Sequence, residues 1–114
     1  MWRDDGYLLD ILEAARRILL FIDNVTEDRF LSDELIQSAV IRQFEIIGEA
    51  AGRISTEYIV NHPTIPWREM VSTRNRLIHE YEKVRMDVIW EATQTDIPSL
   101  IERILPLIPI DSDA

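Results

Sequence analysis

The chain contains no cysteine. That excludes disulfides and thiolate metal sites and fits a reducing compartment, so a cytoplasmic protein is expected. Glycine occurs three times and proline five times among 114 residues, which leaves little material for the tight turns of a β fold. Lysine occurs once, as Lys83, and the other basic residues are all arginine. Arginine carries a planar fork suited to phosphate or carboxylate. Long apolar runs are missing as well. None nears the roughly 18 residues of a membrane-spanning helix, so no membrane partner is expected. The opening MWRDDGY lacks the pattern of a secretory signal.

What is present describes a folded chain. Hydrophobic residues make up 46% and charged residues 29%, a globular balance and not a disordered one. The length suggests one domain, over residues 1–108, with 109–114 as a frayed tail. The net charge of −9 argues against broad capture of nucleic acid, but it is unevenly spread. Residues 1–41 and 86–114 each carry net −5, whereas residues 42–85 hold seven Arg/Lys against six Asp/Glu, net +1. A polyanion meets least repulsion in that middle segment.

Apolar spacing predicts helices. Leu8, Ile11, Leu12, Ala15, Ile18, Leu19 and Ile22 recur at three- and four-residue steps within a helix over 4–23. A short helical turn is expected at Thr26–Phe30. Ser32 is a candidate N-cap for a second long helix over 33–54, with Ile36, Val40, Phe44, Ile47, Ala51 and Ile54 inward. Gly48, Ala51 and Gly52 form a small-residue patch where another helix can come close. Glycine in a helix interior costs about 1 kcal/mol against alanine, so a packing reason is implied. A turn at Ser55–Asn61 precedes HPTIPW, whose prolines break the chain. Pro66 then suits the first turn of a helix over 66–80. After a loop EKVRM, Asp87 can cap a last helix over 88–106, kinked at Pro98. The expected fold is all-α, an antiparallel bundle of four main helices with short helical turns.

The chemistry concentrates at residues 74–81, RNRLIHEY. Asn75 and His79 are four apart and share a helix face. Arg74 and His79 are about 140° apart around the axis. A regular helix does not bring them together, so a long Arg74 reach, a helix end near His79, or an opposing element must. A symmetric dimer would supply the last. Arg76 and Glu80 have the spacing of a surface pair, and Tyr81 falls just past the helix end. Histidine can move a proton near neutrality, and arginine can hold a phosphate and stabilise its developing charge. Asparagine can orient either. In RNA the 2′-hydroxyl is an internal nucleophile, so phosphodiester cleavage needs neither a metal nor a protein nucleophile. The plainer reading is a charged His79 that favours a helix C-terminus.

Other candidates are weaker. Arg42, Glu45, Glu49 and Arg53 line one face of the second long helix, as a solvated ion-pair ladder or, for Glu45 and Glu49, as cleft support for an arginine. His62 reads as a surface loop residue. Trp67 and Trp90 read as core anchors before base-stacking platforms. Two histidines in different elements, with no carboxylate at ligand spacing, make no metal site. Without a Gly-rich phosphate loop either, no cofactor is expected.

The arrangement Arg-Asn, three residues, His-x-Tyr in RNRLIHEY resembles the motif of HepT-like ribonucleases of the HEPN superfamily. QFEIIGEAAGRIS, HPTIPWREM and VIWEATQTDIPSL extend the resemblance over nearly the whole chain, to about residue 108. The resemblance implies an α-helical, HEPN-like homodimer with the motif in an interfacial cleft. It implies a metal-independent endoribonuclease, the toxin of a type VII-like toxin–antitoxin pair. The antitoxin would be a minimal nucleotidyltransferase of the MntA type, which silences the toxin by AMPylation of the motif tyrosine. On this chain Arg74 and His79 would be the catalytic pair, Asn75 the polar helper and Tyr81 the modified residue, with Arg76 nearby in the cleft. The alternative within the superfamily is a non-catalytic module that partners the nucleotidyltransferase. The patch at Gly48–Gly52 and the C-terminal half of the motif helix are the expected dimer surfaces.

Overall fold

The computed structural model describes residues 2–109, so all but the first residue of the expected tail at 109–114 lies outside the described residues. Seven α-helices follow one another, and no strand occurs among the described residues. They are α1 (Trp2–Phe21), α2 (Glu27–Ser32), α3 (Glu34–Ala51), α4 (Thr56–Asn61), α5 (Trp67–His79), α6 (Met86–Gln94) and α7 (Asp96–Ile104). The fold is all-α and HEPN-like, as expected. Single 3₁₀ turns follow α5 at Tyr81–Lys83 and α7 at Leu105–Leu107.

Local chemistry sets the boundaries. Asn24, at φ 59°, ends the turn after α1; asparagine tolerates that left-handed conformation better than most residues. Thr26 caps α2 by accepting from the Arg29 amide at 3.2 Å. The expected cap of α3 moves by one residue. Asp33, not Ser32, accepts from the Leu35 and Ile36 amides at 3.0 and 3.2 Å. Ser32 is the last residue of α2, and its hydroxyl donates back to the Asp28 and Arg29 carbonyls. Asp87 is not a cap either. It sits inside α6, where it takes two hydrogen bonds from Arg85 and one from the Val88 amide. The expected helix over 88–106 is two helices, parted at Thr95. Pro98 lacks an amide donor and its ring crowds the carbonyl four residues back, at Gln94, so the break falls before the proline and not at it.

α3 is the central element. It packs on α1 along one face and on α5 along another, while α7 packs on α1 and α6. The inward stripes are those read from spacing. Leu8, Ile11, Leu12, Ala15, Ile18 and Ile22 of α1 and the turn after it are buried, as are Val40, Phe44, Ile47 and Ala51 of α3. Phe30 anchors the short α2, fully buried with its ring centroid 5.3 Å from that of Trp90. Trp67 and Trp90 are both core anchors.

The close approach at the small-residue patch comes from within the chain. A methyl group placed on Gly48 would overlap the Arg74 Cβ and lie 2.6 Å from the Met70 carbonyl oxygen. That is nearer than the roughly 3.0 Å below which real Cβ atoms are essentially never found. The chain's own α5 therefore occupies the Gly48 surface, so the close approach expected at the patch is made there within one chain, while Gly52 stays exposed. α5 rests mainly on α3, and a cavity of about 920 Å³ separates it from α6 and α7.

Candidate functional site

α5 carries the motif. It begins at Trp67 after Pro66, and the Met70 amide donates to the Pro66 carbonyl at 3.1 Å. Buried Trp67, Met70 and Leu77 fix the inner face. The helix ends at His79: Glu80 leaves helical geometry at φ −134°, although its amide still donates to the Arg76 carbonyl at 2.8 Å. The 3₁₀ turn that follows is held by the Val84 amide on the Tyr81 carbonyl at 3.0 Å. The motif thus spans the last turns of one helix and the corner after it.

Arg74 is half-buried in the seam between α3 and α5. Its Nη1 donates to Asn75 Oδ1 at 3.2 Å, and among the described residues its Nε is buried without a partner. Asn75 and His79 are exposed. Tyr81 is also exposed, at 48%. Among the described residues no hydrogen bond or ion pair reaches the His79 ring. Arg74 is joined to Asn75 within one chain and is not joined to His79.

The supporting charges lie elsewhere. Glu45 pairs with Arg42 at 3.5 Å and Glu49 with Arg53 at 3.8 Å, so the ladder exists as two separate pairs and neither carboxylate reaches Arg74. Glu80 pairs with Lys83 at 3.7 Å and not with Arg76. Having left the helix, it no longer stands above Arg76. Arg76 borders the large cavity, but Arg74, Asn75, His79 and Tyr81 do not. The cavity opens on the other side of α5 and is not the motif's site within one chain. Among the described residues, no group of three or more acidic or histidine side chains gathers as metal ligands would. No helix is long and apolar enough to cross a membrane among those residues.

His62 corrects its surface reading. It closes the C-terminus of α4 half-buried, stacked on Tyr58 at 3.9 Å between centroids. Its Nδ1 lies 2.9 Å from the Tyr58 carbonyl, which can only accept, so that nitrogen carries the proton. The Trp67 indole donates to the His62 carbonyl at 3.0 Å. Next to this cluster the structure buries Asp4, which spacing did not single out. Its carboxylate accepts from the Ser55 amide at 2.9 Å and from the Ser55 hydroxyl at 2.6 Å. Burial alone would raise the Asp4 pKa, but the Ser55 hydrogen bonds help outweigh it and the group is held below its usual range. Burial and the Asp5 and Asp4 charges push the Tyr58 phenol up.

Comparison with known proteins gives one answer. Residues 11–107 match the family described as "Ribonuclease HepT-like". The chain is 47% identical to "Probable ribonuclease HepT" of Thermococcus cleftensis over 94 residues, 82% of this chain and 86% of that one. A protein of Methanocaldococcus jannaschii provisionally named an RNase is 37% identical over 103 residues, 90% of this chain and 85% of its own length. One of Caldanaerobacter subterraneus, named in the same provisional way, is 33% identical over 98 residues, 86% and 88% of the two chains. No solved structure matches. With nearly the whole chain matched and the motif in place on α5, this protein belongs to the HepT-like ribonuclease family.

Proposed function

We propose that this chain is an endoribonuclease that cuts RNA phosphodiesters without a metal ion. It acts as a homodimer that brings two motifs to one cleft. The observation that carries the reading is the complete set Arg74, Asn75, His79 and Tyr81 at the outward end of α5 in a chain of this family. His79 takes the proton of the 2′-hydroxyl. The 2′-oxygen attacks phosphorus, the bond to the 5′-oxygen breaks, and a proton is returned to that leaving oxygen. Arg74 holds the phosphate and stabilises the charge that builds on it. Asn75 orients Arg74, in keeping with their hydrogen bond. The 140° between Arg74 and His79 around α5 supports the dimer: the Arg74 of one copy then works with the His79 of the other.

In this reading the protein is the toxin of a toxin–antitoxin pair. A minimal nucleotidyltransferase of the MntA type silences it by placing AMP on Tyr81. The exposed phenol is open to modification, and AMP there adds bulk and negative charge where RNA phosphate must sit.

The first test is RNA cleavage by the purified dimer in EDTA, with intact mass recorded. Cleavage by the wild type and none by His79→Ala supports the reading. No cleavage by wild type of unmodified mass would favour the non-catalytic module that binds the nucleotidyltransferase. Tyr81→Phe is expected to cut RNA like wild type but to gain no adenylyl mass with the nucleotidyltransferase and ATP. Mass gained by the phenylalanine variant would remove Tyr81 as the target.

A further inference from the structure

We propose that Gly48 is the positioning residue for the Arg74 guanidinium. The inference rests on the reading of Arg74 as the phosphate-binding arginine. Arg74 leaves α5 on the side facing α3, and its stem crosses that helix at Gly48. A methyl group at 48 would overlap the Arg74 Cβ, meet its Cγ at 3.0 Å and press the Met70 carbonyl oxygen at 2.6 Å. The Cβ and the carbonyl are root and backbone of α5, not the tip of a flexible side chain. They cannot swing aside, so any side chain at 48 moves the motif helix itself.

The rest of Arg74 has little else to fix it. Among the described residues its Nε is buried without a partner, and Nη1 bonds only to its neighbour Asn75. The direction of the fork is therefore set by where the stem lies. Gly52, one turn further along the same seam, provides the contrast. A methyl group there would stand 3.4 Å from the Gly48 carbonyl oxygen and 3.7 Å from Val71 Cγ2, ordinary contacts. The seam requires glycine where Arg74 crosses and tolerates alanine at the next turn.

The test compares wild type with Gly48→Ala, Gly52→Ala, Arg74→Ala and the Gly48→Ala/Arg74→Ala double variant. Gly48→Ala is expected to lower kcat about a hundredfold, with KM changed much less, since a misplaced group costs the transition state first. Gly52→Ala should match wild type. Arg74→Ala keeps the Cβ and Met70 keeps its carbonyl, so α5 still shifts in the double variant. With no guanidinium left to misplace, the double variant should lose far less than a further hundredfold relative to Arg74→Ala. A double variant that loses the full Gly48→Ala factor again would make Gly48 a packing residue and overturn the proposal, as would a Gly48→Ala enzyme of normal kcat. Hydrogen exchange at the Arg74 Nε, assigned by its signal's absence in Arg74→Lys, gives a readout free of activity. Exchange should be slow in wild type and Gly52→Ala and accelerated in Gly48→Ala; unchanged exchange would sink the idea. A wild type that cuts no RNA counts against the nuclease reading, and exchange still decides Gly48. Should Gly48→Ala not fold, Gly48→Ala/Val71→Ala trims the next contact on the seam so that a shifted α5 can pack, and the same readouts apply.

Discussion

His62 and His79 stand at the C-terminal ends of α4 and α5, and their surroundings differ in kind. Around His62 the polar groups are buried or half-buried and paired. The ring bonds and stacks on Tyr58, Trp67 bonds the His62 carbonyl, and Asp4 receives two hydrogen bonds from Ser55, the N-cap of α4. Around His79 the side chains of Asn75, Glu80 and Tyr81 are exposed, and Arg74 Nε, buried in the motif, has no partner among the described residues. Buried polar groups are nearly always satisfied when they serve only the fold. The first cluster has that character. The second leaves its donors open, which suits groups reserved for a substrate or a second chain.

The largest effect that would sharpen this contrast is catalytic. His79→Ala should lower RNA cleavage by about 10²–10⁴-fold, the usual contribution of a general acid–base, with thermal stability nearly unchanged. His62→Ala should keep kcat and lose about 1 kcal/mol of stability with its hydrogen bond and stack. Steady-state cleavage and thermal melting on both variants decide it, and equal loss of cleavage would break the comparison. Next in size, Arg74→Ala should slow cleavage about 10²–10³-fold, as removal of one charge-stabilising donor does. It should not destabilise the fold through lost hydrogen bonding, because it also removes a buried N–H without a partner. A marked drop in melting temperature would assign Arg74 to the fold instead.

Asp4→Ala should lose about 2 kcal/mol at neutral pH, the scale of hydrogen bonds to a buried charge, with kcat retained. The sign of its pH dependence follows from the lowered pKa. Stability from ionised Asp4 is complete above the unfolded value of about 3.9 and fades as pH falls through the lower folded value. Chemical denaturation of wild type and variant should therefore converge in acid, and a gap that stays constant to pH 2 would refute the hydrogen bonds of Ser55 to ionised Asp4 as its source. The smallest effect is expected at Glu49→Gln. It breaks an exposed pair worth less than about 0.5 kcal/mol and should leave cleavage alone, whereas a clear loss of cleavage would make Glu49 a support of the cleft.

Much of this was legible in the residues. The apolar stripes of α1 and α3 recur at helical spacing and are buried where spacing puts them, because one stripe per helix has only one direction in which to escape water. The small residues at 48, 51 and 52 announced a close approach, and HPTIPW announced the start of α5. Boundaries were less legible. Ser32 and Asp33 can both cap, and the choice fell to the one whose carboxylate could reach two free amides of α3 while the serine closed α2. Pro98 showed that a helix must be disturbed but not at which residue it would part.

The amino-acid order by itself determined the all-α class, the core faces, the family and the residues of the motif, since these rest on local propensity, periodicity and short spacings. Tertiary structure alone decided three things. It chose which helix fills the glycine patch, since a close approach fixes no partner. It joined Asp4 to Ser55 across 51 residues, a contact without a local signal. And it turned Arg74 into the α3 seam while leaving His79 in solvent, because the direction of a side chain depends on what packs against its stem and not on its place in the motif.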